Sequence, residues 1–140
     1  MVTMVKVITG LKGSGKTKKL VDLVVAAVNE GNGDVVVIEK ERKLTYDVPY
    51  QARLIDAGSY EIGSYELLKG FLCGLHSGNY DITHIFIDNF FKLTGDKSEA
   101  SLAAFLEWLK AFSERENVEF VISMSIDEGN VPPIVAELAI

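Results

Sequence analysis

Two hydrophobic periodicities alternate along this chain. Short, mainly apolar runs, rich in β-branched residues, occupy Met4–Thr9, Asp34–Glu39, Thr83–Asp88 and Val118–Ser125. They read as strands, and the continuous run Asp34–Glu39 has the texture of one buried on both faces of a sheet. A shorter run, Ala52–Ile55, reads the same way. Between these runs the apolar residues recur at helical spacing, which gathers them on one side of a helix. Leu20, Val21, Val24, Val25, Ala27 and Val28 do so within Lys16–Glu30. Tyr65, Leu67, Leu68, Phe71, Leu72 and Leu75 follow a Ser64 cap in a helix expected to run to Ser77. Leu102, Phe105, Leu106, Leu109 and Phe112 follow a Ser98 cap. Gly31-Asn32-Gly33 and Gly78-Asn79 supply helix ends, and Pro132-Pro133 opens a short terminal helix.

Strand and helix in this alternation predict an α/β fold, a three-layer sandwich with a mainly parallel sheet and helices on both faces. In such sheets the site lies at the carboxyl ends of the strands. Leu44 to Gln51, with Tyr46, Asp47 and Pro49, is expected to be an exposed loop, and Thr94-Gly95-Asp96-Lys97 another. Gly70 and Gly74, one helical turn apart, suggest close backbone packing, because glycine inside a helix otherwise costs about 1 kcal/mol. Trp108 reads as a packing residue at the edge of its stripe.

Composition narrows the picture. With 140 residues, 48% of them hydrophobic and 24% charged, the chain suits one compact domain over residues 1–140. A formal net charge of -6 disfavours duplex nucleic acid as a partner, since phosphate backbones demand basic surface. The single cysteine, Cys73, excludes an intramolecular disulfide and a multi-cysteine zinc site, and its apolar setting predicts a buried, inert thiol. His76 and His84 have no metal-ligand partners in sequence and are assigned no role. The apolar runs are strand-length and the amino terminus lacks a signal-peptide layout, so the expected location is cytoplasmic, with no membrane partner. There is no internal repeat and no low-complexity tract.

The candidate chemistry begins at the first strand-to-helix turn. Gly10-Leu11-Lys12-Gly13-Ser14-Gly15-Lys16-Thr17 fits the phosphate-binding pattern G-x-x-x-x-G-K-[ST]. Glycines at 10, 13 and 15 allow positive φ and leave no Cβ between backbone N–H groups and an anion. Lys16 would reach the β- and γ-phosphates, Thr17 would hold Mg²⁺, and the helix that starts here would add its N-terminal dipole. Downstream, Ile85-Phe86-Ile87-Asp88 has the form of a Walker B strand, whose aspartate would orient Mg²⁺ opposite Thr17.

On these two motifs the chain resembles the P-loop NTPases, and within them the RecA-like and thymidine-kinase-like group. A Val-rich strand over Asp34–Lys40 and the Phe90-Phe91 pair after the aspartate strand belong to the same likeness. The resemblance implies ATP and Mg²⁺ as cofactors. It also implies a glutamate after the metal-orienting aspartate, but Asn89 stands there, and an amide cannot act as a base near neutral pH. The cysteine-rich zinc lasso of thymidine kinases is missing as well. RecA-like proteins carry a glutamate at the end of the strand after the first helix, so Glu39 is either a substitute base or a solvated charge within Glu39–Lys43. Ser123 and Ser125 are either sensors of the γ-phosphate or structural hydroxyls. Tyr46 and Tyr50 could stack on adenine.

The expected function is therefore a nucleoside triphosphate-binding protein with slow, Mg²⁺-dependent NTPase activity. A nucleotide-binding switch without hydrolysis is the alternative, with the 44–51 loop as its responsive surface. A thymidine-kinase-like small-molecule kinase lacks an evident acceptor lid. Self-assembly, or a protein partner that completes the site, is a further possibility for a domain without an evident arginine finger.

Overall fold

The computed structural model describes residues 4–41 and 47–140. Strands β1 (Val5–Gly10), β2 (Asp34–Glu39), β3 (Arg53–Asp56), β4 (Ile82–Ile87) and β5 (Glu119–Ser125) form a five-stranded sheet in the order β1-β5-β4-β2-β3. Every pairing within it is parallel. Helices α1 (Lys16–Glu30), α2 (Tyr65–Ser77), α3 (Phe90–Thr94), α4 (Glu99–Glu116) and α5 (Pro133–Leu138) connect and flank the strands. Among the described residues no helix is long and apolar enough to cross a membrane.

Side chains alternate across a strand, so each strand feeds two cores. On one face Leu20, Val24 and Ala27 of α1 pack on Ile8, Val35, Val37, Phe86 and Val121. On the other, Leu68 and Leu72 of α2 and Phe105, Leu109 and Phe112 of α4 cover Val36, Ile38, Ile85, Ile87, Phe120 and Ile122. The helices therefore lie on both faces of a parallel sheet, as the alternation of strand and helix predicts. Full burial of a side chain such as Leu20 or Leu72 contributes about 1.5–3 kcal/mol.

Caps form where the sequence supplies them. The Ser64 hydroxyl accepts a hydrogen bond from the Leu67 N–H at 3.1 Å, and the Ser98 hydroxyl one from the Ser101 N–H at 3.3 Å. Trp108 stacks on Phe112, with ring centroids 5.3 Å apart, as a packing residue. Strand ends depart by a residue or so from the sequence expectation because pairing register sets them: Val5 lies opposite Phe120 and Gly10 opposite Ser125.

Three expectations for α2 are corrected. Its inward face is Tyr65, Leu68, Leu72 and His76, so Leu67, one residue off that line, is 58% exposed. Cys73 follows Leu72 around the helix and is also exposed, which overturns the expected buried thiol. Gly70 and Gly74 face outward with nothing within 4 Å of an added Cβ, so neither serves close packing. The loop over 44–51 is described only from Asp47 onward. There Tyr50 is 91% exposed, but Val48 is buried against the α1-side core, so the segment is not exposed throughout. Residues 42–46, including Tyr46 and part of the charge cluster after Glu39, lie outside the described residues.

Candidate functional site

β1 brings the chain to the carboxyl edge of the sheet at Gly10, beside the end of β5. Gly10 and Ile126 exchange backbone hydrogen bonds of 3.1 and 3.2 Å, which fix where the loop begins. Gly10 has φ +138°, and a Cβ there would fall 2.3 Å from the Ser14 hydroxyl oxygen. Gly13 and Gly15 have φ of +87° and +89°, while Leu11, Lys12 and Ser14 stay at ordinary φ. Positive-φ glycines interleaved with ordinary residues are the backbone pattern by which nests turn successive N–H groups toward an oxyanion. Leu11 to Gly15 are all exposed, and the turn is closed by the Ser14 N–H donating to the Leu11 carbonyl at 3.1 Å.

The helix that follows starts differently from the two other long helices, and like the short α3 and α5 it has no capping side chain. α2 and α4 each begin with a serine cap and carry a glutamate in the first turn. α1 starts after Gly15, with no side-chain cap and no acidic residue in its first turn. Its first turn thus has no capping side chain and no carboxylate to answer its terminal N–H groups and positive dipole end. Lys16 is 7% exposed and donates to the Leu11 carbonyl at 3.2 Å, folding its ammonium back over the loop.

Thr17 and Asp88 meet across the sheet edge. The Thr17 hydroxyl lies 3.3 Å from one Asp88 carboxylate oxygen and 3.5 Å from the other. Asp88 is 3% exposed, a placement that requires hydrogen-bond compensation for its charge. Ser123 supplies it: its hydroxyl donates to Asp88 at 2.5 Å and accepts from the Asn89 N–H at 2.9 Å. The Asn89 amide adds a weaker donor at 3.4 Å. Ser123 thus ties the carboxylate to the turn that follows it.

Glu39 is 4% exposed at the end of β2, so its reading as a solvated charge is overturned. β2 pairs with β4, and the ladder continues one step beyond β4 through the Asp88 N–H donating to the Ile38 carbonyl at 3.0 Å. Alternation puts Glu39 on the face of Val35 and Val37, Asp88 on that of Phe86, and Ser123 on that of Val121, all on the α1 side. Glu39 and Asp88 therefore end neighbouring strands beneath Thr17's helix. Ser125 is half-buried beside Gly10, at the mouth of the loop.

What this site offers a cation is the Thr17 hydroxyl and the Asp88 carboxylate. Among the described residues no group of three or more His, Cys, Asp or Glu converges on a metal position. Two hard oxygen donors fit Mg²⁺, which prefers to keep several waters and take its remaining ligands from phosphate.

Two features escaped the sequence reading. Asn89 has φ +51° and starts α3, a one-turn helix, where only a loop was expected near Thr94. The dual bonding of Ser123 was the other. Its signal was present as a hydroxyl set between the apolar run Phe120-Val121-Ile122 and Met124, since a buried hydroxyl needs a partner. No family model and no curated protein matches this chain.

Proposed function

We propose that this chain is a P-loop nucleotide-binding protein of the RecA-like and thymidine-kinase-like layout, which binds ATP with Mg²⁺ and hydrolyses it slowly. The observation that carries this reading is the 3.3 Å approach of Thr17 to Asp88, made beside an uncapped helix N-terminus and a buried lysine. Residues 71 apart in sequence meet there. In this reading the loop amides from Gly10 to Lys16 cradle the phosphates. Lys16 exchanges its Leu11 carbonyl for a phosphate oxygen. Thr17 and Asp88 hold Mg²⁺, which when bound neutralises charge developing on the transferring phosphoryl group.

Glu39, buried at the end of the strand next to that of Asp88, is the carboxylate assigned to take a proton from the attacking water. Asn89 cannot serve as base. With no second carboxylate directly after Asp88, turnover is slow. The alternative, a switch that binds without hydrolysing, is favoured by Asn89 itself. Single-turnover release of γ-phosphate with Mg²⁺, compared between the parent and Glu39→Gln, separates them. Turnover in the parent that disappears in the variant supports the NTPase, and no turnover in either supports the switch.

A further inference from the structure

Beyond Asp88, at the end of β4, a cavity of about 170 Å³ is lined by Asn89, Phe91, Lys92, Lys97 and Ser125. That is several times the ~30 Å³ share of one water. Asn89 and Ser125 place it at the mouth of the glycine-rich loop: Asn89 follows the carboxylate that meets Thr17, and Ser125 lies opposite Gly10. Its charged lining residues are both lysines, in a chain whose formal net charge is -6. The Lys97 ammonium rests 5.6 Å from the centre of the Phe91 ring. Lys92 has a carboxylate neighbour, Glu41, at 3.7 Å, but both side chains are half exposed, so that pair is screened and weak.

We propose that this cavity binds an oxyanion, a phosphate or carboxylate group, as acceptor for the γ-phosphoryl group, held by Lys97, Lys92, the Asn89 amide and the Ser125 hydroxyl. The inference rests on the nucleotide reading above and names the acceptor class for the same site. It also gives Asn89 a chemical rationale. An alcohol or water must lose a proton on attack and needs a base nearby. A phosphate or carboxylate is already ionised at neutral pH, and a carboxylate at position 89 would repel it. In the transfer, an acceptor oxygen forms a bond to the γ-phosphorus as the bond from that phosphorus to the β–γ bridging oxygen breaks. The nucleoside diphosphate leaves with the electron pair, and no proton has to be removed. Slow hydrolysis is then the side reaction of a site made for a charged nucleophile.

The test uses the full chain saturated with Mg²⁺ and a nonhydrolysable ATP analogue, so that the phosphate loop is occupied before any anion is added. Inorganic phosphate is titrated in one arm and acetate in another, following the backbone amides of Asn89, Lys92, Lys97 and Ser125 by NMR. Saturable shifts at these amides are expected with phosphate, with acetate or with both, and the arm that responds tells a phosphate acceptor from a carboxylate one. Lys97→Gln should weaken anion binding about ten- to a hundredfold, as loss of a charge-assisted contact implies. Lys97→Arg should retain it. γ-Radiolabelled ATP should then pass label to the responding anion, as pyrophosphate or as an acyl phosphate trapped with hydroxylamine. The proposal is overturned if neither anion shifts these amides, if Lys97→Gln binds like the parent, or if the bound anion gains no label. Failure of the analogue itself to bind, read before either titration, overturns the nucleotide reading, and the acceptor falls with it.

Discussion

The Ser123 hydroxyl of β5 donates a 2.5 Å hydrogen bond to the Asp88 carboxylate at the end of β4, and accepts one from the N–H of Asn89. One buried side chain thereby fixes the carboxylate and the turn that follows it. Ser123→Ala should strip Asp88 of its nearest donor and leave the Asn89 N–H unpaired. Loss of about 1–3 kcal/mol is expected in urea denaturation, the cost of an unsatisfied buried group. Nucleotide affinity should fall more in the presence of Mg²⁺ than in its absence. An unchanged urea midpoint would show that water replaces the hydroxyl freely.

Gly10→Ala tests the loop. Its φ of +138° is outside the range that L side chains adopt readily, and the new Cβ would crowd Ser14. ATP affinity should drop by at least tenfold, equivalent to about 1.4 kcal/mol. Gly70→Ala is the control: its added Cβ meets nothing on an exposed helix face, so it should stabilise by about 0.5–1 kcal/mol and leave ATP binding alone. A larger affinity loss at Gly70 than at Gly10 would contradict the assignment of the loop.

Much of this architecture is written in the apolar spacing. The run Asp34–Glu39 is an observed strand with the same bounds, and Lys16–Glu30 an observed helix, because unbroken β-branched residues and a three-to-four spacing leave few other structures. The outward turn of Cys73, Leu67 and the α2 glycines was not legible. An apolar stripe more than half a helix wide does not say which of its edges meets the sheet, and packing of Tyr65, Leu68 and Leu72 decides it. In the site, a loop of consecutive residues was readable as a pattern. The bonding of Asp88 to Ser123 was not, because it depends on β5 lying next to β4, and strand order is absent from local spacing.

Glu39 and Asn89 make opposite predictions about hydrolysis. If buried Glu39 is the base, Glu39→Gln should abolish turnover while sparing affinity, since the amide is close to isosteric. Asn89→Glu should raise hydrolysis by less than the roughly 10²- to 10⁴-fold typical of general-base assistance, as an added carboxylate has no supporting hydrogen bonds. The same substitution should weaken anion binding in the adjoining cavity. A γ-phosphate release assay on both variants reads the first two effects, and no change in either would place both side chains away from the attacking water.

Tyr65 gives a pH signature to the fold. Burial pushes its phenol above the ordinary value of 10.0, and the hydroxyl donates to the Asp96 carbonyl at 2.6 Å. The folded state thus holds this proton more tightly than the unfolded state. Its contribution is present in full below 10.0 and is lost as pH rises through the folded value. Tyr65→Phe should lower stability by about 0.5–1.5 kcal/mol at neutral pH and remove part of the alkaline loss. Urea midpoints of parent and variant below and above 10.0 check both effects. A difference that stays constant through that range would contradict the linkage.

The central claim is that the loop from Gly10 to Thr17 holds a nucleoside triphosphate through Lys16. Calorimetric titration of Mg²⁺–ATP into the parent and into Lys16→Ala tests it most directly, with circular dichroism to establish that the variant is folded. Saturable binding by the parent and a loss of one to two decades of affinity in the variant, about 1.5–3 kcal/mol, is the predicted result. Absence of binding in the parent, or equal affinity in a folded Lys16→Ala protein, would contradict it.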